Sequence, residues 1–490
     1  MRILLVYPEF PDTFWSFRHA LRFIRKKASF PPLGLLTIAA MLPESWEKRL
    51  VDINTTPLRR RDLEWADYVF LSAMVVQRDG VRQVLKRCRE AGVRVVAGGP
   101  LFIGEHQDFP EVDHFVLGEA EATLPLFLKD LARGEAKRVY ASDEFPDMEL
   151  SPTPLWELAD LSQYSGMCIQ YSRGCPFDCD FCNITAMFGH KPRVKTADQV
   201  IAELDALHEL GWRAGVFFVD DNFIGNKRSL KTEVLPALIK WRQGKRGLAF
   251  QTEVSINLAD DPKLLEMMVE AGFDRVFVGI ETPDDESLAE CNKFQNRGRD
   301  LLASVKTLQR AGLEVSGGFI VGFDSDGPTI FQQQIDFIQK SGIVTAMVGL
   351  LQAPYGTRLY ERLKKEGRLF GELSGDNTDD TMNFRPKMDP KLLHEGYRRI
   401  LLSIYSPRAY YERVRTFLKE YKKSHAIRPV LEPEYLGALF RSMVALGLRG
   451  KGRFEYWRLF FWTLFRRPRL FPEAITLAIY GFHFRRIYEL

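Results

Sequence analysis

Three thiols fall within eight residues: Cys175, Cys179 and Cys182, in the run Arg173-Gly-Cys-Pro-Phe-Asp-Cys-Asp-Phe-Cys-Asn183. Gaps of three and two residues let one short loop turn three sulfurs toward one inorganic centre. Thiolates are the ligands of iron–sulfur cubanes, which usually take four of them. Three would leave one iron open to a substrate or cofactor. Zinc is the competing reading, but zinc knuckles pair two thiols with a second pair or with histidines, and no such partner follows. Six cysteines in 490 residues do not make a disulfide-stapled secreted scaffold. Cys88 and Cys291 lie in helical patterns and read as packing residues. Cys168, seven residues upstream, reads as a small buried hydrophobe before it reads as a fourth ligand.

The elements that must position this loop are legible as alternating apolar runs and amphipathic stretches. In the first 140 residues the runs are Ile3–Tyr7, Leu50–Ile53, Tyr68–Ser72, Val93–Ala97 and His114–Leu117. That alternation predicts parallel strands with crossover helices, an α/β doubly wound sheet that binds ligands at the carboxyl ends of its strands. Small residues fall there: Ser72, Gly98-Gly99-Pro100 and Gly118-Glu119. The acidic, proline-containing stretch 141–158 suits a linker over the surface. Six further runs follow: Cys168–Tyr171, Gly215–Val219, Ala249–Glu253, Arg275–Ile280, Glu314–Val321 and Ala346–Leu351. Six β/α repeats are two short of a closed TIM barrel, and the thiol loop follows the first of them, on the face where barrels do chemistry. Beyond Pro354 the pattern is mostly helical. The expected division is 1–145, 146–365 and 366–490.

Composition bounds the function. Net charge is +4, from 68 basic and 64 acidic residues, so nothing global points to nucleic acid. The N-terminus reads as a first strand without a cleavage site. No stretch reaches the roughly 18 uninterrupted apolar residues of a membrane span. Reduced clustered thiols then fit the cytoplasm. The tail from Phe454 to Leu490 interleaves Trp457, Phe460, Phe461, Trp462 and Phe465 with Arg458, Arg466, Arg467 and Arg469. Two readings compete there: a helix packed on its own protein with snorkelling arginines, or a peripheral membrane contact or lid over an apolar substrate.

The thiol loop, with Phe181 just before its last cysteine, resembles the radical S-adenosylmethionine signature. The resemblance implies that Cys175, Cys179 and Cys182 hold a [4Fe–4S] cluster whose open iron binds S-adenosylmethionine. It implies further that Asp220 or Asp221 meets the methionine amino group, that Glu253, Ser255 and Asn257 hold the carboxylate and ribose, and that Val278-Gly-Ile-Glu281 is the adenine-side strand. Phe30-Pro-Pro-Leu-Gly-Leu-Leu-Thr-Ile-Ala-Ala40, with Pro32, Leu33 and Gly34, resembles the cobalamin-binding domain of B12-dependent radical enzymes, as do Ser72, Gly98, Gly99, Pro100, Gly118 and Glu119. The Asp-x-His-x-x-Gly element that supplies a histidine to cobalt in many B12 proteins is absent. The subclass therefore implies cobalamin without a histidine ligand, its lower face on the loop Val75–Arg78, at Val76 and Gln77. The run Asp376–Met388 is similar to a segment of the B12-dependent radical methylases that include the hopanoid C-2 methylase.

The resemblance implies a methyltransferase that uses a 5′-deoxyadenosyl radical and methylcobalamin to methylate an unactivated carbon, since acid/base side chains cannot activate an sp³ C–H bond. The expected substrate is a small apolar molecule, a hopanoid-like lipid or a tetrapyrrole side chain. The expected electron donor is external, of flavodoxin or ferredoxin type. The alternative is a B12-dependent radical oxidation, cyclisation or ring contraction without methyl transfer. A non-catalytic cobalamin module would not need the full thiol loop and the strand-end acids. A methylthiotransferase would need a second cysteine triad.

Overall fold

Two six-stranded parallel sheets divide the protein, a computed structural model that describes residues 1–427 and 433–489. The first holds β1 (Arg2–Tyr7), β2 (Glu47–Asp52), β3 (Tyr68–Ser72), β4 (Arg94–Gly98), β5 (His114–Val116) and β6 (Val139–Tyr140), in the order 2-1-3-4-5-6. Its strands are apolar on both faces because helices cover both, as in Leu4 and Val6 on one side and Ile3 and Leu5 on the other, all fully buried. The short sixth strand, unsignalled in the sequence, extends the sheet beside β5.

The second sheet is the expected open barrel. After β7 (Gly166–Ile169) come the paired β8 (Ser172–Arg173) and β9 (Arg193–Val194), then β10 (Gly215–Phe218), β11 (Phe250–Val254), β12 (Phe273–Glu281), β13 (Glu314–Val321) and β14 (Ala346–Leu350). The barrel order is 14-13-12-11-10-7, all parallel. β8 and β9 form a small antiparallel hairpin apart from the barrel, and the thiol loop is the connection between them. Outward residues such as Val216, Phe218, Val276 and Val278 are buried under helices. The inner face is only partly covered, which is what six strands in place of eight leave open.

Stretch 141–158 crosses the surface but is anchored to the body. Met148 and Trp156 are buried, and the Leu155 amide donates to the Leu36 carbonyl at 3.1 Å. The two sheets are further joined where Gly166 N donates to Ser29 O at 2.9 Å and the Tyr164 hydroxyl donates to Asp52 at 2.9 Å. The C-terminal helices pack on the barrel and on residues 14–24. Among the described residues no helix is long and apolar enough to cross a membrane.

Candidate functional site

The thiol loop is closed at its base by geometry that only glycine satisfies. Gly174 has φ +92°, and a Cβ there would meet the carbonyls of Gly189, Lys191 and Phe188 at 2.9 to 3.0 Å. Arg173, beside it, bonds Glu119 at 2.7 Å and Glu121 at 2.9 Å, while Arg193 from the other hairpin arm bonds Glu119 at 2.5 Å. Both carboxylates belong to the first domain and are almost wholly enclosed. Burial pushes the Glu121 carboxyl up, but the Arg173 guanidinium outweighs it and holds it below its ordinary value. Glu119, expected on cobalamin, has both oxygens on the arginines and ties the domains together.

Within the loop the three thiols are partly exposed and unpaired. They fit a cluster, where each thiolate takes a different iron. The Asn222 amide nitrogen lies 3.9 Å from Cys175 Sγ and that of Gln295 3.7 Å from Cys179 Sγ, the donor contacts that tune iron–sulfur sulfurs. Burial raises the Cys175 thiol and pushes Cys182 up to about 12, so ionisation there needs a cation. Lys293, buried nearby, supplies one: burial opposes its charge, but Glu281 at 2.7 Å and the neighbouring thiols outweigh it and raise its pKa. Phe181 packs between that ammonium and Phe323. Cys168 is settled as packing, its thiol donating to the Pro31 carbonyl at 3.4 Å.

Three carboxyls stand at the carboxyl ends of β10 and β11. Asp220 accepts from the Tyr171 amide at 3.2 Å and from both the amide and the hydroxyl of Ser172, the latter at 2.6 Å. It anchors the start of the thiol hairpin. Asp221 differs: its Oδ2 is buried without a partner. Burial pushes Asp220 up to about 7, Asp221 to about 6 and Glu253 to about 8, and the charges of Asp221 and Asp220 add to the Glu253 shift. An orphaned carboxylate oxygen beside a protonated carboxyl fits a cationic ligand such as the ammonium of S-adenosylmethionine. The Ser255 amide donates to Asn222 at 3.2 Å and its hydroxyl to Asn257 at 2.7 Å, so a polar chain runs from Asn257 through Ser255 and Asn222 to Cys175. Glu281 occupies φ +63°, a left-handed conformation that a glutamate adopts at a cost of order 1–3 kcal/mol, held here by its ion pair with Lys293.

On the first sheet, Ser72, Gly98, Gly99, Pro100 and Gly118 all lie at the carboxyl edge and none is buried. Pro32 caps the helix Leu33–Met41, whose exposed Gly34 has nothing within 4 Å of where a Cβ would stand. Such an edge fits a large flat ligand. Val76 is half-buried and meets the C-terminal region: Gly375 lies so close that a Cβ would come 2.6 Å from Val76 N. Gln77, expected under cobalt, is fully buried, donating to Pro8 O at 2.7 Å and accepting from Met74 N at 2.9 Å.

The barrel's inner face is ordered in rows. One row of cross-strand partners reads Cys168, Phe217, Gln251, Arg275, Glu314, and the next reads Glu253, Phe277, Ser316. The Trp15 ring packs edge-on against Phe277 at 5.4 Å and its Nε1 reaches Met347 Sδ at 3.0 Å, yet 40 % of Trp15 stays exposed. Phe30 covers Phe217 at 5.4 Å. Lys293, Asn222, Gln295, Arg173 and Trp15 were not nominated from sequence. No spacing marks them, because each acts through partners distant in the chain.

Family models match three stretches of the chain: B12 binding domain over residues 24–128, Radical SAM superfamily over 169–338, and Domain of unknown function (DUF4070) over 357–490. The chain is 40 % identical to an uncharacterized methyltransferase of Synechocystis sp., over all of this chain and 92 % of that one. It is 36 % identical to the hopanoid C-2 methylase of Rhodopseudomonas palustris, over 93 % of this chain and 88 % of that one. The solved radical S-adenosylmethionine methyltransferase TsrM of Kitasatospora setae shares the fold, with a TM-score of 0.63 at 14 % identity over 98 % of both chains. With both domain models in tandem and relatives matched nearly end to end, the chain belongs to the cobalamin-dependent radical S-adenosylmethionine methyltransferases, and its cofactors are a [4Fe–4S] cluster, S-adenosylmethionine and cobalamin.

Proposed function

We propose that this methyltransferase places a methyl group on an unactivated carbon of a small apolar molecule, a polycyclic lipid of hopanoid type or a tetrapyrrole side chain. When bound, the cofactors supply a hydrogen-abstracting 5′-deoxyadenosyl radical and a transferable methyl group, given one electron from an external flavodoxin- or ferredoxin-type donor. Cys175, Cys179 and Cys182 hold the cluster, with Asn222 and Gln295 donating toward two of the sulfurs. Asp221 takes the ammonium of S-adenosylmethionine, Glu253, Ser255 and Asn257 hold its carboxylate and ribose, and Glu281 with Phe181 flanks the adenine side. Pro32, Leu33, Gly34, Ser72, Val76, Gly98, Gly99, Pro100 and Gly118 face cobalamin. Residues 1–145, 146–365 and 366–490 serve as the cobalamin, radical and closing domains.

The observation that carries the substrate class is the change of character on the inner barrel face. The cross-strand partner of Glu253 is Phe277, and Trp15 and Met347 extend that surface with partly open faces. A water-poor aromatic wall next to the carboxyl cluster holds an apolar carbon by shape and keeps water from a reactive species. The relative that methylates hopanoids is in keeping with it.

The test is incubation of the reduced, fully reconstituted enzyme with hopanoids and tetrapyrroles. Methylated product with both S-adenosylhomocysteine and 5′-deoxyadenosine is expected, and Trp15→Ala should raise KM for the apolar substrate roughly tenfold or more. Deoxyadenosine formed without methyl transfer would overturn the reading in favour of oxidation, cyclisation or ring contraction.

A further inference from the structure

The helix Arg453–Arg466 is amphipathic in the wrong sense for a protein in water. Tyr456, Leu459 and Thr463 are buried against the body, while the opposite stripe is aromatic: Phe454 is 75 % exposed, Phe461 49 % and Phe465 76 %. Trp457, Phe461 and Phe465 stack along it, with ring centroids 5.7 and 6.3 Å apart. A second exposed set lies on the preceding segment, with Leu436 at 73 %, Phe440 at 66 % and Leu448 at 63 %. Both segments pack on the helix Phe471–Ile487, so they share one end of the molecule. Isolated exposed leucines need no explanation, but six large apolar side chains on adjoining helices do.

Charge identifies what covers them. Between residues 449 and 469 seven lysines and arginines face one acid, Glu455, a surplus of six that exceeds the +4 of the whole chain. Arg449, Lys451, Arg453, Arg458, Arg466 and Arg469 are all exposed. A second copy of the chain would bring two such surpluses together, and aliphatic Leu436 and Leu448 have no stacking use on a nucleic acid. We propose that this end of the molecule docks in the plane of an anionic lipid bilayer, the aromatic stripe entering the headgroup boundary while the flanking arginines meet lipid phosphates. The inference goes beyond the proposed reaction and does not depend on it.

The full chain, reconstituted with its cofactors, is sedimented with vesicles of phosphatidylcholine alone and of phosphatidylcholine mixed with phosphatidylglycerol. It is expected to pellet with the anionic vesicles and to release as salt rises, because exposed charges are screened within about a Debye length of 10 Å at 0.1 M. The triple variant Phe454→Ser, Phe461→Ser, Phe465→Ser should keep the melting temperature and cobalamin absorbance of the parent and partition roughly tenfold or more weaker. Arg453→Glu with Arg458→Glu should lose a comparable factor on anionic vesicles only. Three results would each overturn the proposal: no pelleting with anionic vesicles, undiminished pelleting of the serine variant, or a concentration-dependent dimer that the serine variant abolishes. Because pelleting is read without turnover, failure here leaves the methylation assay to decide the reaction separately.

Discussion

Glu253 sits beside Asp221 and Asp220, and burial with their repulsion pushes it up to about 8. Lys293 pulls in the opposite direction but is held by Glu281. The folded state therefore keeps a proton that the unfolded chain releases near its ordinary value. Stability from this group falls as pH rises from about 4.5 to about 8. Glu253→Gln, which has no proton to lose, should melt above the wild type at pH 8 and beyond, the gap closing below pH 5. Scanning calorimetry of the cofactor-free protein at the two ends of that range checks it. The same variant should bind S-adenosylmethionine about tenfold more weakly by titration calorimetry, the worth of one charge-assisted hydrogen bond. The thiols were nominated in the sequence by their tight spacing, and Asp221 and Glu253 by the likeness of their strand-end segments to the family's. Asp220 was legible as a candidate yet serves the Ser172 turn, since neighbouring carboxyls are told apart only by what donates to them. Lys293, paired with Glu281 across twelve residues, and Gln295, reaching Cys179 across more than a hundred, left no mark.

The two-residue arms β8 and β9 do what no long element in the molecule does: they fix the thiol loop to both domains at once. Such short strands have no periodicity to read, and they escaped the sequence for the same reason as β6. The barrel strands, five to nine residues in most cases and apolar on the outer face, were read nearly to their ends. The hairpin's hold on the first domain is electrostatic, through Arg173 and Arg193 on Glu119 and Glu121, with the carboxylate side chains 2 % and 3 % exposed. Removing one partner strands the others in a dry seam. Arg173→Ala should destabilise the protein by about 3–5 kcal/mol, the usual cost of breaking a buried pair. Arg173→Lys should fall between, because an ammonium cannot engage two carboxylates in the fork geometry of guanidinium. Urea titration gives the stability, and iron content of the folded fraction reports whether the thiol loop, two residues on, still closes.

At the scale of the whole molecule the two ends of the chain meet. Phe14 stacks on Phe484 with centroids 4.3 Å apart, Phe17 packs on Tyr480 at 4.8 Å, and His483 Nε2 donates to the Phe14 carbonyl at 3.0 Å. The next residue after Phe14 is Trp15, the wall of the proposed substrate chamber, so the helix Phe471–Ile487 supports that wall from behind. The aromatic tail thus splits between the two readings its composition allowed: this helix packs, while the stripe before it stays open. The seam also carries a titratable weak point. His483 is fully buried, and burial drives its pKa down to about 4, with the Phe14 carbonyl and Asp12 only partly opposing and His19 adding to the shift. The unfolded chain takes up a proton near pH 6.5 that the folded chain refuses until about 4, so stability present above 6.5 is lost as pH falls through that window. The loss amounts to about 2 kcal/mol by pH 5. His483→Gln keeps a donor for the Phe14 carbonyl and removes the proton site. Its urea midpoint should lie below the wild type at pH 7.5 and converge on it at pH 5, whereas a constant difference across that range would mean that the histidine titrates alike in the folded and the unfolded chain.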